Sequence, residues 1–189
     1  EKTVLGQERA AENKIYCFPL PKSTKWTMQA EMKSVPDYKS ISPKQFNITI
    51  SKKNNGYGYG LFFYVPRIKT HIPLFVLFRA LGINSDREIC EMIVLDIDNE
   101  KMKKMLFGLK ASIVQAAKYI TKEEALDYIV NLAMYTPINM EKEAGERKKK
   151  EFTISVLEND LFPHCKTETQ KKYFLGFMAN KLLSTSFGW

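Results

Sequence analysis

Two aspartates in the middle of the chain have a spacing that could bind a metal ion. The segment LDIDNE places Asp96 and Asp98 two residues apart, and such a pair could chelate Mg²⁺ together with a phosphate substrate. The other interpretation is structural, because the periodic pattern that follows predicts a helix, and Asp98 or Asn99 would cap its start. We favour the cap, since that helix needs one in any case.

Cysteine and histidine offer little for metal or nucleophile chemistry. Cys17, Cys90 and Cys165 are widely spaced, and His164 beside Cys165 would supply at most half of a zinc site. Structural zinc needs two paired ligand clusters, so the sequence predicts no zinc site. Neither His71 nor His164 lies in a recognisable nucleophile motif. An odd number of unpaired cysteines also favours a reducing, intracellular compartment over a disulfide framework.

The charge balance is basic. The 189 residues include 29 Lys and Arg against 21 Asp and Glu, which gives a net charge of +8. This balance favours a polyanionic partner such as DNA, RNA or an acidic protein. Candidate phosphate or partner contacts form the densest run, which consists of Arg147, Lys148, Lys149 and Lys150. A solvated helix start is the other interpretation of this run, and it is the one we favour.

Arg79 lies inside the apolar run IPLFVLFRALG. An unpaired buried charge is costly, so this arginine needs a carboxylate partner. The candidates are Glu8, Asp86 and Asp96. We favour an internal salt bridge that fixes the corner after the run, and a ligand or partner contact is the alternative.

The helical elements around Arg79 can be predicted from local signals. Pro73 suits a first helical position, and Gly82 suits the left-handed residue that follows a helix end. Ser85 and Glu88 form a capping box for the next helix, with Asp86 adding favourable charge to its first turn. The sequence therefore predicts two helices joined by a tight corner.

The remaining elements define the fold class. Alternating or continuous apolar segments at 14–18, 25–33, 45–51 and 61–65 predict strands, and Asn55-Gly56 predicts a two-residue hairpin turn with positive φ at both positions. Helical periodicity dominates afterwards, including one helix from about Asn99 to Ile120. We predict an α+β fold in which antiparallel strands and hairpins (about 4–65) pack with about six helices (about 73–184).

The whole chain, 1–189, is expected to form one domain. No apolar run reaches the roughly 18 residues of a membrane span. The first residues have no initiator Met or signal pattern, and we interpret both ends as cuts in a longer chain.

Four segments together resemble the lobe domain of the second-largest subunit of eukaryotic-type multisubunit DNA-directed RNA polymerases. They are GQERAAENKIYCF, IPLFVLFRALGINSDREICEMIVLD, ENDLFPHC and KKYFLGFMANKLL, and they occur in the family's order over essentially the whole chain. The matching positions are Gln7, Glu8, Arg9, Asn13, Arg79, Gly82, Ser85, Asp86, Glu88, Pro163 and His164. The chain departs from the family at Ala10 and Cys90, where serine and leucine are common, and in NNGYGYG and EAGERKKK.

The resemblance implies a non-catalytic module that flanks the DNA cleft and receives initiation factors. Its partners would be the rest of its own subunit, other polymerase subunits, DNA in the cleft and those factors, with no membrane. The resemblance implies no cofactor in this chain, because the family holds its catalytic Mg²⁺ in the largest subunit. The expected location is the nucleus, or a viral factory or virion if the source is a large DNA virus.

Two other functions remain as alternatives at the level of sequence. One is a stand-alone basic nucleic-acid-binding protein, although the chain lacks the aromatic-basic motif of an RNA-recognition module. The other is a free enzyme that uses Asp96 and Asp98, for which Mg²⁺-dependent turnover by the chain alone would be the signature.

Overall fold

The computed structural model describes residues 13–36 and 42–189. Within these residues a five-stranded antiparallel sheet is followed by a helical region, so the predicted α+β class is confirmed. The strands are β1 (Ile15–Pro19), β2 (Trp26–Ser34), β3 (Lys44–Asn54), β4 (Tyr59–Tyr64) and β5 (Ile72–Pro73).

Each strand of the sheet pairs with its neighbour in sequence, in the order β1 to β5. Alternation in β3 places Phe46, Ile48 and Ile50 on the buried face, as the period of two in a strand requires. Ile48 pairs with Ala30 of β2 on one side and with Phe63 of β4 on the other. The four predicted strands are therefore confirmed, and β5 was missed because it has only two residues.

The predicted hairpin between β3 and β4 exists, but its predicted turn type is wrong. Positive φ occurs at Gly56 (97°) and Gly58 (127°) rather than at Asn55. The side-chain oxygen of Asn54 accepts hydrogen bonds from the backbone N–H groups of Gly56 (2.7 Å) and Gly58 (3.3 Å). An asparagine side chain that organises the turn in this way allows a longer loop than the two-residue turn we expected.

The helices of the described region are α1 (Leu74–Ala80), α2 (Asp86–Val94), α3 (Glu100–Lys103), α4 (Met105–Gln115), α5 (Lys122–Val130), α6 (Lys142–Ser155) and α7 (Glu168–Ser186). A π-helical turn, Val156–Asp160, continues α6. The long helix predicted near Asn99 is divided at Lys104 into α3 and α4, and it ends at Gln115 instead of near Ile120. With α3 and α4 taken together, the number of helices matches the prediction of about six.

Two helices organise the core. Every residue of α1 is buried, and α1 packs against α4, α5 and β4. The C-terminal α7 lies across β1 and β2 and along α2. A Cβ atom on Gly176 of α7 would lie 2.4 Å from the backbone oxygen of Met92, so this glycine allows α2 and α7 to approach closely.

No helix in the part of the chain that the structure describes combines the length and the apolar character needed to cross a membrane.

Candidate functional site

The corner between α1 and α2 has the geometry that the sequence predicts. The N–H of Gly82 donates to the carbonyl of Arg79 (2.9 Å), and the N–H of Ile83 donates to that of Phe78 (3.1 Å). Gly82 has a φ of 103°. These paired bonds define a Schellman motif, in which glycine accepts the left-handed conformation at low cost. The corner is therefore a property of the local sequence.

The start of α2 follows immediately. The hydroxyl of Ser85 accepts a hydrogen bond from the N–H of Glu88 (3.4 Å), which satisfies one of the free donors at a helix start. Asp86 and Glu88 place negative charge in the first turn, where the helix dipole stabilises it. Asp86 is thereby held beside the end of α1.

Arg79 pairs with Asp86 at this corner. Only 3% of its side chain is exposed, and its guanidinium forms a salt bridge with Asp86. The same group donates to the backbone carbonyls of Ala116 and Tyr119, the latter at 3.1 Å. Of the three partners considered from sequence, the structure selects Asp86, while Glu8 lies outside the described residues.

These contacts explain what Arg79 does. The carbonyls that it binds lie after the end of α4, and that of Ala116 also accepts from the N–H of Tyr119 (3.0 Å). Its salt bridge reaches α2. One buried side chain therefore joins α1, α2 and the segment after α4. The structure gives Arg79 a role in holding the fold.

Of the aspartate pair, Asp96 has its side chain engaged by the backbone. Asp96 accepts a hydrogen bond from the N–H of Asp98 (3.2 Å). Asn99 is the cap of α3, and its side chain accepts from the N–H groups of Lys101 (2.9 Å) and Met102 (3.2 Å). Among residues 13–36 and 42–189, no three His, Cys, Asp or Glu side chains come together in a group that could hold a metal ion.

The three cysteines are free thiols. Burial raises the pKa of Cys90 and of Cys165 to about 11. Because the thiolate is the reactive form of cysteine, both side chains are protonated and weakly nucleophilic at neutral pH. Neither is suited to covalent catalysis.

The FPH segment forms a tight turn that fastens the helical region to the sheet. The N–H of Cys165 donates to the carbonyl of Phe162 (2.9 Å), and Pro163 occupies the second position of this turn, which its fixed φ favours. The N–H of His164 donates to the hydroxyl of Ser34 in β2 (3.0 Å), and the imidazole Nδ1 also hydrogen-bonds to that hydroxyl. The ring packs against Phe174 at 4.5 Å between centroids.

His164 gives a testable pH dependence. Desolvation lowers its pKa below the ordinary value of 6.5. The unfolded chain therefore binds this proton at a higher pH than the folded chain, so stability falls as pH drops below about 6.5. We expect His164→Gln to unfold in urea with a weaker dependence on pH between neutrality and mild acid than the unmodified chain shows.

His71 serves as the internal comparison for this measurement, because burial also lowers its pKa. The His71→Gln variant retains His164, so the part of the pH dependence of its unfolding free energy that comes from His164 should remain. An identical pH profile for His164→Gln and the unmodified chain would contradict the prediction.

The N-terminal motif is described only in part. Asn13 donates its side-chain amide to the carbonyl of Val35 (3.2 Å) and accepts from the N–H of Val35 (2.8 Å). It thus fastens the chain before β1 to the end of β2. The other matching positions there, Gln7, Glu8 and Arg9, lie outside the described residues.

The basic run lies in α6 and faces more than one direction. Lys150 forms a salt bridge with Glu123 of α5 (2.8 Å), and this hydrogen bond raises the pKa of Lys150. Lys148 pairs with Glu151 (3.5 Å). Arg147 and Lys149 form no salt bridge within the described residues, and Arg147 is exposed. These two side chains are therefore the ones available to a polyanion.

Two buried polar residues of α7 were missed from sequence. Asn180 of α7 donates to the carbonyls of Ile93 (2.9 Å) and Val94 (3.4 Å) and so caps the end of α2. Lys171 of α7 is 5% exposed and donates to the carbonyl of Glu158 in the π-helical turn. The sequence signal for both residues is a polar side chain on the apolar side of a helix. This signal does not identify the backbone carbonyls that they bind.

Comparison with known proteins identifies the family. The family model described as "RNA polymerase Rpb2, domain 2" matches residues 11–189. The chain is 33% identical to the DNA-directed RNA polymerase II subunit RPB2 of Encephalitozoon cuniculi, over all of this chain and 16% of that protein.

Other relatives give the same result. The RPB2 subunit of Schizosaccharomyces pombe is 31% identical over 97% of this chain and 15% of its own length. DNA-directed RNA polymerase subunit 2 of Acanthamoeba polyphaga mimivirus is 24% identical over 97% of this chain and 16% of its own. The chain thus spans about one-sixth of the length of these relatives. It belongs to the domain 2 (lobe) family of the second-largest RNA polymerase subunit.

Proposed function

We propose that this chain is the non-catalytic lobe of a DNA-directed RNA polymerase, where it forms one side of the DNA cleft and a docking surface for initiation factors. The observation that carries the proposal is the match to this polymerase domain across residues 11–189. Its partners are then the rest of its own subunit, the other polymerase subunits, DNA and those factors. The chain would act where the polymerase transcribes, which is the nucleus or a viral factory.

The geometry supports a structural contribution to the polymerase. The side chains that could best take part in catalysis or ligand binding make contacts within the fold instead. Arg79 holds the corner, Asp96 accepts a hydrogen bond in a turn, and Cys90 is a buried, protonated thiol. We propose that the Mg²⁺ chemistry of nucleotide addition belongs to other parts of the polymerase. This chain would contribute shape, rigidity and charge.

The DNA-facing part of the proposal can be tested by salt dependence. Each phosphate that a protein neutralises contributes roughly −0.9 to the slope of log K against log salt on duplex DNA. We expect the chain to bind a labelled duplex with a steep slope. Replacing both Arg147 and Lys149 by glutamine should reduce that slope by roughly 0.9 for each phosphate that is no longer neutralised. These two positions are preferable to Lys150, whose reversal would place two carboxylates together at Glu123.

The matched control removes the same charge elsewhere. Lys53 of β3 and Lys118 after α4 are exposed, and their double glutamine variant changes net charge by the same two units. An equal decrease of the slope in this control would show that net charge, and not the α6 surface, drives binding. Absence of duplex binding at low salt would contradict a DNA-facing role for this chain.

A further inference from the structure

The outer face of α3 and α4 combines exposed aromatic and basic residues. Met105, Leu109 and Ser112 turn inward and are buried. The opposite side presents side chains at helical spacing, and Phe107 on this side is 70% exposed. The residues of this face, which we call the α4 outer face, are Lys103, Lys104, Phe107, Lys110 and Val114.

The charge of this face is not balanced internally. Lys103, Lys104 and Lys110 form no salt bridges within residues 13–36 and 42–189. The ammonium group of Lys110 instead lies 5.3 Å from the centre of the Phe107 ring. Three lysines close together in sequence therefore create a positive surface that favours a negatively charged partner.

The α4 outer face also contains a recess. It has a volume of about 460 Å³ and is lined by Glu100, Lys103, Lys104, Leu106, Phe107 and Lys110. Leu106, Phe107 and the alkyl parts of the lysines supply apolar surface, as long basic side chains commonly do. Its three lysines outnumber its one carboxylate, Glu100, so the recess suits an apolar side chain with carboxylates around it.

We propose that the α4 outer face binds an acidic peptide segment that inserts one large apolar side chain beside Phe107. This inference names the chemistry of a docking partner and rests on the docking role proposed above. Lysine ammonium groups act as point charges and suit carboxylates without requiring a fixed geometry. The apolar side chain would remove Phe107 from water, which is favourable because apolar surface is buried.

A single-stranded nucleic acid is the competing occupant, because bases stack on exposed aromatic rings beside basic residues. One observation favours the peptide. The concave recess fits a side chain, whereas stacking needs only an open ring face.

The test uses a fluorescein-labelled peptide of aspartate and glutamate residues with one central leucine, and fluorescence anisotropy of the 189-residue chain. We expect saturable binding that weakens about tenfold in Phe107→Ser, as removal of a central apolar anchor does. It should also weaken in the triple variant K103Q/K104Q/K110Q. The same peptide with serine in place of leucine should bind as weakly as the Phe107→Ser variant binds the original.

Phe177→Ser is the matched control. Phe177 is 41% exposed and lies under Lys181 at 5.1 Å, so it is a similar aromatic–lysine pair that does not line the recess. Its substitution should leave peptide binding unchanged. Circular dichroism of each variant verifies that the chain is folded.

Three results would overturn the inference. Peptide binding that is unaffected by Phe107→Ser would show attraction by charge alone. Tighter, Phe107-dependent binding of an oligothymidylate would identify a nucleic-acid surface. Absence of peptide binding by a folded chain that still binds duplex DNA would reject this docking chemistry while leaving the proposed function intact. Absence of duplex binding with retained peptide binding would instead contradict the DNA-facing role and leave the docking chemistry standing.

Discussion

Replacing Arg79 with methionine is expected to destabilise the domain by about 3 kcal/mol. Removing one member of a buried ion pair typically costs ~3–5 kcal/mol. The lower end applies because the Asp86 side chain is 46% exposed, so water can solvate the carboxylate that loses its partner. The carbonyls of Ala116 and Tyr119 each lose one hydrogen bond as well. Thermal unfolding should show a decrease in Tm of roughly 6–12 °C for a chain of this size.

Arg87→Met provides the control for the Arg79 substitution. Arg87 is 82% exposed and pairs with Glu91 one helical turn away (3.0 Å). Exposed pairs of this kind contribute about 0.3–0.5 kcal/mol, so the same chemical change should alter Tm little. An Arg79→Met domain with unchanged Tm that nevertheless abolished transcription in the assembled polymerase would contradict a structural role and indicate a partner contact.

Phe162→Ala is expected to have an effect at least as large, about 3–5 kcal/mol. Phe162 is fully buried, and its ring packs edge-on against Phe46 (4.9 Å), Phe63 (5.7 Å) and Phe174 (4.8 Å). Truncation would leave a cavity between the sheet and α7 that these rings can fill only by moving. Urea unfolding should show a lower midpoint with an unchanged m-value.

Two substitutions calibrate the Phe162 result. Phe162→Leu keeps most of the apolar volume and should cost clearly less than alanine, since cores tolerate changes that conserve volume. Phe107→Ala removes a ring that is 70% exposed and should be nearly neutral for stability. Equal effects of alanine at positions 162 and 107 would show that the Phe162 ring is not part of the core.

The sequence predicted the corner and its surroundings because their signals are local. Gly82 and Ser85 each act within a few residues, and the structure shows the helix end and the next helix cap where the patterns indicate. Pro73 was expected at the first helical position, but it is the last residue of β5 and the N-cap of α1, so the helix begins one residue later. The burial of Arg79 also followed from its apolar neighbours. Its partner did not, because Asp86 and Asp96 were both close enough in sequence to reach it.

The contacts that sequence could not supply join distant segments. Ser34 and His164 are 130 positions apart, and nothing in either segment specifies the other. Lys171 and Asn180 bind backbone carbonyls, which every residue carries and which therefore leave no pattern to search for. The break at Lys104 within the predicted long helix also left no signal in the sequence, because the residues on both sides favour a helix.

The family assignment and the local physics provided complementary information. The resemblance predicted a polymerase lobe, and the match over residues 11–189 confirms the family. The roles proposed for Arg147 and its neighbours remain predictions. The structure reduces the candidate phosphate contacts to Arg147 and Lys149, since Lys148 and Lys150 already pair with carboxylates.

The turn at Phe162 to Cys165 also has a consequence for the order of folding. In the described part of the chain the strands pair only with their neighbours in sequence, so the sheet can assemble through short loops, which close quickly. Docking of His164 onto Ser34 must close a loop of 130 positions and therefore carries a larger entropic cost. We expect this docking to follow the rate-limiting step, so that removal of its hydrogen bonds accelerates unfolding and leaves the folding rate nearly unchanged. The FPH turn would then govern how long the folded lobe persists.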